Sequence, residues 1–256
     1  MEWQLRLACG EPLPLAQQQI KSQGHSFEAR ICAENPANNF APSSGTLNYL
    51  IFPDNETHVR VDTGVQQGDT ISPYYDPMIA KLIVWGEDRR QALALLSAAL
   101  EKTCIVGVDT NVSLLHKITN NKDFQQEKIS TNFIKDHPDL QAQFNTVPKE
   151  IIALAALTEL HDQQATARLL AGRSQDRFSP WFLRDNWRLF TQPPFSLFLW
   201  FNDKMITLQV SIEENNYVLH FPEGDMTASS EWKNQHNLSA TINSNTMQAT
   251  AIKYED

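Results

Sequence analysis

Apolar and polar residues alternate at several places in the first third of the chain. Within Ser26–Cys32 every second residue is apolar, which is the period of a half-buried strand. Residues 46–51 and 58–62 show the same period. The run Met78–Trp85 is mostly apolar and predicts an internal strand. The pattern therefore predicts a sheet in this part of the chain.

Helical patterns flank these strands. A short helix is predicted over Glu2–Ala8. Asp88 followed by Gln91 resembles a capping box, so a longer helix is predicted from there to Thr103. A further helix is predicted over residues 111–119. The residues expected to face inward are Ala92, Leu95, Leu96 and Ala99 in the longer helix, and Leu115 and Ile118 in the following one.

The second half of the chain has a different pattern. The polar stretch from Lys135 to Thr146 is predicted to be exposed. We place a boundary between two domains near His137 and a linker at 138–146. A long helix is predicted over 147–171. Its expected main apolar contacts are Ile151, Leu154, Ala155 and Leu157.

After this helix the period changes to two. Alternating runs separated by turn signals at 202–203, 215–216 and 243–245 predict an antiparallel meander. A last strand, Thr246–Tyr254, leaves an unpaired edge. The predicted fold class is α+β: a mostly antiparallel sheet with helices, followed by a long helix packed with an antiparallel, barrel-like meander.

Composition and charge narrow the possible functions. The formal net charge of -9 and the absence of a basic run argue against a protein that binds nucleic acid through its phosphates. The apolar runs are shorter than the roughly 20 residues of a membrane span, so none is expected. Three widely separated cysteines fit free thiols in a reducing, intracellular compartment.

Short sequence motifs do not indicate a particular reaction or type of site. No glycine-rich phosphate loop is present, and the seven histidines occur singly, without the spacing of a metal site. No nucleophile-elbow motif marks a hydrolase, and catalytic triads are recognised by geometry. Arg60 lies on the polar face of a predicted strand and could hold an anion. By position alone, however, a surface ion pair is the favoured interpretation.

Three longer segments resemble one family. They are GHSFEARICAENPANNFAPSSGTL at 24–47, VRVDTGVQQGDTISPYYDPMIAKLIVWGEDR at 59–89 and IVGVDTNVSLL at 105–115. Together they are similar to the C-terminal lobe of biotin carboxylase, a resemblance that covers residues 1–137. The opening EWQLRLACGEPLP resembles the biotin-carrying subunits of methylcrotonyl-CoA carboxylases and their geranyl-CoA relatives.

Residues 147–256 resemble a second domain of those subunits. A long helix followed by an antiparallel meander is similar to the BT domain of acyl-CoA carboxylases, which docks the carboxyltransferase subunit. The stretch RFSPWFLRDNWRLF at 177–190 resembles the segment after that helix. The resemblance thus implies a hetero-oligomer formed through residues 147–256, with the biotinyl domain as a further partner.

The resemblance also implies a reaction and roles for residues. The reaction is ATP-dependent carboxylation of biotin by bicarbonate, in which an arginine matching Arg60 stabilises the biotin enolate. A fixed cation placed where negative charge develops lowers the barrier of such a step. Tyr74, Tyr75, Asp76 and Lys81, with Met78, are expected to support the site. Trp85 and Arg89 match a region near the contact between two lobes of the family, and no metal ligand is expected in this segment.

Two parts of the full-length family are expected outside this sequence. The ATP-grasp part, which binds ATP and magnesium, would precede Met1, and the biotinyl domain that carries biotin would follow Asp256. The chain alone is therefore expected to be inactive. The alternatives are a docking module without catalysis and, less favoured, an unrelated small ligand-binding barrel. The acyl-CoA is not determined; the compartment is the bacterial cytoplasm or, alternatively, the mitochondrial matrix.

Overall fold

The computed structural model describes residues 1–54, 57–141, 147–176, 179, 182, 193–201, 204–213 and 216–253. The chain forms two compact units, Met1–Gln143 and Phe144–Asp256. The predicted fold class, α+β with mostly antiparallel sheets, is confirmed. The assignment of 1–137, 138–146 and 147–256 to a lobe, a linker and a docking domain stays a prediction.

The first unit combines short strands with helices. Short 3-10 turns lie at Gln17–Gln19, Pro36–Asn38 and Pro138–Gln141. The elements are, in chain order, α1 (Glu2–Ala8), β1 (His25–Cys32), β2 (Glu34–Asn35), β3 (Ala41–Pro42), β4 (Gly45–Thr46), β5 (Tyr49–Ile51), β6 (Val59–Thr63), β7 (Thr70–Ile71), β8 (Met78–Gly86), α2 (Arg89–Lys102), β9 (Cys104–Val106), α3 (Val112–Asn120), α4 (Lys122–Gln125) and α5 (Phe133–Asp136).

A three-stranded antiparallel sheet with the order β1-β8-β6 lies at the centre of this unit. The strands predicted at 26–32, 58–62 and 78–85 are therefore confirmed, and β8 is internal as its apolar run indicates. One face of the sheet packs with α2. The buried residues of this core are Ala29, Ile31, Ala33, Leu47, Val59, Ile71, Ile79, Ala80, Leu82, Val84, Leu96, Ala99 and Leu100.

The single strand predicted at 46–51 is wrong. The structure has two short strands there, because β4 pairs with β7 whereas β5 pairs with β9. Leu47 lies between them with its side chain fully buried. Its backbone turns to exchange hydrogen bonds with Gly68 and Asp69, at 2.8 and 2.9 Å. Two different partner strands thus interrupt what looks like one alternating run.

Helix α2 begins with the predicted cap. The side chain of Asp88 accepts a hydrogen bond from the backbone N–H of Gln91 at 2.8 Å. The side chain of Gln91 accepts from the N–H of Glu87 at 2.6 Å, one residue before the usual capping-box partner. The buried stripe differs from the prediction, because Leu93 and Leu100 are buried whereas Leu95 is only partly buried. The buried residues are Ala92, Leu93, Leu96, Ala99 and Leu100.

Asn111 ties the start of α3 to β1. Its Oδ1 accepts from the N–H of Cys32 at 2.9 Å, and its Nδ2 donates to the carbonyl of Arg30 at 3.1 Å. Nδ2 also lies 3.3 Å from Oε1 of Glu34. The side chain is buried, and a buried amide left unpaired costs about 1–3 kcal/mol. Asn111 therefore holds the end of β1 against the start of α3.

A small core joins α3 to the end of the unit. Leu114, Phe133 and Leu140 are buried together. Leu115 and Ile118, the predicted inward residues of α3, are partly buried. Leu140 belongs to the stretch predicted as an exposed linker, and at 6% exposure it contradicts that prediction at this position. The reason is that the 3-10 turn at Pro138–Gln141 packs back onto α3.

The second unit consists of a helix and a six-stranded antiparallel meander, with each strand paired to the next in sequence. The turn at Asn243 and Ser244 has positive φ at both residues, 46° and 72°, which suits a two-residue hairpin. The predicted turns at 202–203 and at residue 215 lie outside the described residues. The elements are α6 (Lys149–Arg173), β10 (Phe195–Phe201), β11 (Lys204–Glu213), β12 (Asn216–Phe221), β13 (Gly224–Trp232), β14 (Asn237–Ile242) and β15 (Asn245–Thr250).

Helix α6 packs on the inner face of this sheet. Leu154 and Leu157 are buried as predicted, but Ile151 and Ala155 are exposed, so these two predicted contacts are wrong. The buried stripe runs along a neighbouring line of the helix: Ala153, Leu154, Ala156, Leu157, Leu160 and Ala167. The last strand ends at Thr250 rather than Tyr254, which lies outside the described residues. No helix in the described part of the chain is long and apolar enough to cross a bilayer.

Candidate functional site

The open face of the β1-β8-β6 sheet carries a set of charged side chains, here named the polar face. Alternation along β8 buries Ala80, Leu82 and Val84 on the α2 side and leaves the residues between them on the other side. The register places Asp62 opposite Lys81, and Arg30 opposite Lys81 from the other strand. The polar face consists of Glu28, Arg30, Arg60, Asp62 and Lys81.

Arg60 holds its guanidinium at the edge of this face. Its Nη2 lies 3.2 Å from Oδ2 of Asp62, to which it donates a hydrogen bond. Nζ of Lys81 lies 3.7 Å from the same oxygen. The side chain of Arg60 is 67% exposed, so the ion pair is open to solvent rather than enclosed. The guanidinium is thus positioned by Asp62 but remains accessible to a ligand.

A second ion pair lies across the sheet. Nε of Arg30 is 3.8 Å from Oε1 of Glu28, two residues earlier on β1. With Arg60, Lys81 and Asp62 this gives three cations and two carboxylates on one face. The polar face therefore carries an excess of positive charge, although the chain as a whole is acidic.

The predicted support residues before β8 have different surroundings. The side chains of Tyr74 and Tyr75 are 88% and 84% exposed. Oδ1 of Asp76 accepts a hydrogen bond from the backbone N–H of Met78 at 2.9 Å, which shapes the turn into β8. The structure thus gives Asp76 a local structural contact and leaves the side chains of the two tyrosines exposed.

Trp85 and Arg89 are packed within the first unit. The ring of Trp85 lies 5.0 Å from that of His58. The guanidinium of Arg89 lies 5.3 Å from the rings of both Phe27 and Phe124. It also donates to the carbonyl of Phe124 at 2.7 Å, and only 13% of its side chain is exposed. Arg89 thereby fixes the end of α4, and its predicted role near a contact between lobes stays a prediction.

The structure brings together part of the predicted site. Arg60 and Lys81 share Asp62, whereas the aromatic pair Tyr74 and Tyr75 has no contact with them among the described interactions. Asp62 was not predicted as a site residue. The signal was present, because residues two apart on a strand share a face and an aspartate follows Arg60 at that spacing.

A family model for the biotin carboxylase C-terminal domain matches residues 28–136. This range contains all five residues of the polar face. Residues 28–136 are a biotin carboxylase C-terminal domain. The prediction made from the three sequence segments is thereby confirmed for this lobe.

Similar sequences include α subunits of methylcrotonoyl-CoA carboxylases. Methylcrotonoyl-CoA carboxylase subunit alpha of Rattus norvegicus is 43% identical over 190 residues, which cover 74% of this chain and 27% of the relative. The Arabidopsis thaliana subunit of the same name is 48% identical over 137 residues, 54% of this chain and 19% of the relative. Both are described as mitochondrial. The chain therefore spans about a quarter of the relatives' length or less.

A solved structure shows the same lobe. The biotin carboxylase domain dimer of Hydrogenobacter thermophilus 2-oxoglutarate carboxylase, in complex with MgADP, ADP and bicarbonate, is 40% identical with a TM-score of 0.54. The similarity covers 56% of this chain and 31% of that structure. The biotin carboxylase lobe thus has the fold that the sequence predicts.

Proposed function

We propose that this chain contributes to a biotin-dependent acyl-CoA carboxylase of the methylcrotonoyl type, in which its first unit completes a biotin carboxylase. The reaction is ATP-dependent carboxylation of biotin by bicarbonate. The observation that carries the proposal is Arg60, an accessible guanidinium fixed on a rigid sheet inside the matched domain. Parts of a larger protein or complex would bind ATP and magnesium and carry biotin.

Arg60 fits the role of a cation for a developing negative charge. A guanidinium has five N–H donors, and Asp62 accepts from Nη2, so further donors are available for an oxygen of the ligand. Biotin, when bound, supplies the ureido group that is carboxylated. The guanidinium stays charged at any pH at which the protein is folded, and its position changes little when charge develops in front of it.

Asp62 and Lys81 would then position Arg60 rather than touch the ligand. The carboxylate of Asp62 restricts the orientation of the guanidinium through the 3.2 Å contact. Lys81 lies opposite Asp62 in the register and partly neutralises it, so the carboxylate does not cancel the positive charge at the face. Tyr74 and Tyr75, which are exposed, are proposed to contact the part of the complex that approaches this face.

The proposal is tested by comparing the chain alone with a reconstituted carboxylase. The chain alone is expected to give no biotin-dependent ATP hydrolysis, because the described residues include no phosphate-binding loop. Activity is expected when residues 24–137 replace the matching lobe of a methylcrotonoyl-CoA carboxylase α subunit. Biotin-dependent ATPase activity of the isolated chain, or a folded but inactive chimera, would contradict the proposal.

The alternative role, docking of a carboxyltransferase subunit by residues 147–256, has separate support. The 190-residue match to the rat α subunit is longer than the first unit and so includes part of the second. The outer face of the hairpin β10–β11 also exposes large apolar side chains. Phe198, Trp200 and Met205 are 59%, 71% and 55% exposed, and Trp200 lies opposite Met205. Exposed aromatic groups of this kind are typical of interface contacts.

Docking is tested by capture of a purified methylcrotonoyl-CoA carboxylase β subunit. The wild-type chain is expected to retain it, and the double variant Phe198→Ser, Trp200→Ser is expected to bind at least about thirtyfold more weakly, since buried aromatic anchors contribute more than 1 kcal/mol each. The variant Gln209→Ala, on the same sheet face, serves as the control. Equal capture by all three proteins, or no capture by the wild type, would argue against docking through this face.

The free thiols support an assignment of the compartment. Cys9, Cys32 and Cys104 are free, and burial raises the pKa of Cys32 and of Cys104, which lowers their reactivity. A nearby carboxylate at Glu34, and then Asp76, adds to the effect at Cys32. We infer a reducing compartment, either the bacterial cytoplasm or the mitochondrial matrix.

A further inference from the structure

Three polar side chains on the outer face of the second unit form a connected array. Ser211 lies on β11, His220 on β12 and Asp225 on β13. The register places His220 directly opposite Asp225. It also places His220 opposite Gln209, two residues from Ser211 and on the same face. Two consecutive hairpins therefore bring together residues that no short motif connects.

The distances order the three groups as a hydrogen-bond chain. Oγ of Ser211 lies 2.8 Å from Nε2 of His220. Nδ1 of His220 lies 2.9 Å from Oδ1 of Asp225. The serine and the carboxylate thus contact opposite nitrogens of one imidazole ring. This is the atom order of a nucleophile, a base and a group that orients the base.

The carboxylate determines the tautomer of the ring. An ionised Asp225 can only accept a hydrogen bond, so Nδ1 of His220 carries the proton. In the neutral imidazole Nε2 then has the free electron pair and accepts from the hydroxyl of Ser211. In this tautomer the hydroxyl of Ser211 donates to a base that can take up its proton.

The array is accessible from solvent. The side chain of His220 is 32% exposed and that of Asp225 is 60% exposed. Ser211 is half-buried and lies opposite Val218, which is 8% exposed and gives an apolar wall beside the hydroxyl. Solvent thus reaches His220 and Asp225, and Ser211 lies half-buried beside them.

We propose that Ser211 is an activated nucleophile that accepts acyl groups from activated carboxylic esters. Oγ of Ser211 forms a bond to the acyl carbon while the bond from that carbon to the leaving oxygen breaks. The proton of the hydroxyl passes to Nε2 of His220 and then to the leaving oxygen. No oxidant or further reactant is needed, and this site is independent of the carboxylase role of the first unit.

The same sheet contains a matched serine. Ser196 lies on β10, on the same outer face, and its Oγ accepts a hydrogen bond from Nε2 of Gln209 at 2.7 Å. An amide cannot take up a proton as imidazole does. Ser196 therefore reports the reactivity of an exposed serine with a hydrogen-bond partner but no base.

The probe is 4-nitrophenyl acetate applied to the full chain, with acetylation of individual serines followed by peptide mass spectrometry. A positioned general base contributes about 10²-fold or more, so Ser211 is expected to be acetylated about 10²-fold faster than Ser196. The variant His220→Gln should reduce Ser211 acetylation to the Ser196 rate. Equal rates for the two serines in the wild type, or undiminished Ser211 acetylation in His220→Gln, would overturn the proposal.

A second variant separates positioning from folding. Asp225→Asn can still bond to the ring, but its amide donates to Nδ1 and favours the tautomer whose Nε2 carries the proton. Ser211 acetylation is then expected to fall at least tenfold while the Ser196 rate and the urea unfolding midpoint stay the same. An unchanged ratio of the two serine rates in this folded variant would contradict the role of Asp225.

Discussion

The substitution Gly107→Ala is expected to lower the free energy of unfolding of the first unit by about 4 kcal/mol, as the sum of backbone strain and overpacking of roughly 1–3 kcal/mol each. Gly107 has a φ of +115°, a conformation that residues with a Cβ atom rarely adopt. A Cβ atom there would lie 1.9 Å from the carbonyl oxygen of Thr46. The position thus excludes a side chain for two independent reasons.

The clash cannot be relieved locally. The atoms nearest to the added Cβ belong to the backbone of Thr46 and to Asn48, which lie on either side of the buried Leu47. Moving them disturbs the pairing of β5 with β9, which begins with Tyr49 opposite Val106. The expected result is therefore loss of amide protection in both strands together with the loss of stability.

Urea unfolding and hydrogen exchange of residues 45–51 and 104–106 measure this effect. Gly64→Ala is the matched control, because a Cβ at Gly64 meets no atom within 4 Å. That variant is expected to unfold within about 1 kcal/mol of the wild type, as surface substitutions usually do. If Gly107→Ala unfolds at the same urea concentration as the control, the close approach to Thr46 is not present in solution.

Much of the first unit could be predicted from alternation and capping. Met78–Trp85 is mostly apolar because β8 lies between two strands and its residues Ala80, Leu82 and Val84 face α2. Asp88 and Gln91 mark the start of α2 because the side chain of Asp88 accepts from the free N–H of Gln91 and that of Gln91 accepts from the N–H of Glu87. These signals are local, so a single sequence contains them.

The wrong predictions fall at positions where contacts with residues distant in sequence determine the pairing or burial. Residues 46–51 alternate as one strand does, but two partner strands divide them at Leu47. Leu140 lies in a polar stretch and is buried because α3 provides an apolar partner nearby. Ile151 and Ala155 are apolar but lie beside the buried stripe of α6. In each case the deciding neighbour is distant in sequence.

The contacts within the two candidate sites also depend on residues that are distant in sequence. The identity of Arg60 as a candidate came from its strand face and from the resemblance, but its contact with Lys81 through Asp62 depends on the register of β6 with β8. The Ser211, His220 and Asp225 array depends on two registers at once. A sequence without a known register cannot show which polar residues become neighbours across strands.

The second large effect concerns Arg60. In a carboxylase reconstituted with this lobe, Arg60→Ala is expected to lower kcat for biotin-dependent ATP hydrolysis about 10²–10³-fold, the typical loss on removing one donor to a developing oxyanion. The fold should be little affected, because an exposed ion pair such as Arg60–Asp62 contributes about 0–1 kcal/mol. A large loss of rate with little loss of stability separates a catalytic contact from a structural one.

Arg30 provides an unusually close control for this experiment. It lies on the same polar face, its side chain is 68% exposed against 67% for Arg60, and it pairs with a carboxylate two residues away on its own strand. Arg30→Ala therefore removes the same charge from the same sheet face. Comparing the steady-state rates of the two variants shows whether catalysis depends on the total positive charge of the polar face or on one positioned guanidinium.

Arg60→Lys adds a test of geometry. Lysine keeps the positive charge but replaces the planar guanidinium with a single ammonium group. If catalysis depends on N–H donors in a fixed direction, kcat should fall although the charge at this position is retained. The expected order of rates is wild type highest, Arg60→Lys lower and Arg60→Ala lowest, and the rate of Arg30→Ala measures how much of the loss comes from the total charge of the face. Equal losses in Arg30→Ala and Arg60→Ala would show that the face acts only through its net charge, and the assignment of Arg60 as the catalytic cation would then be wrong.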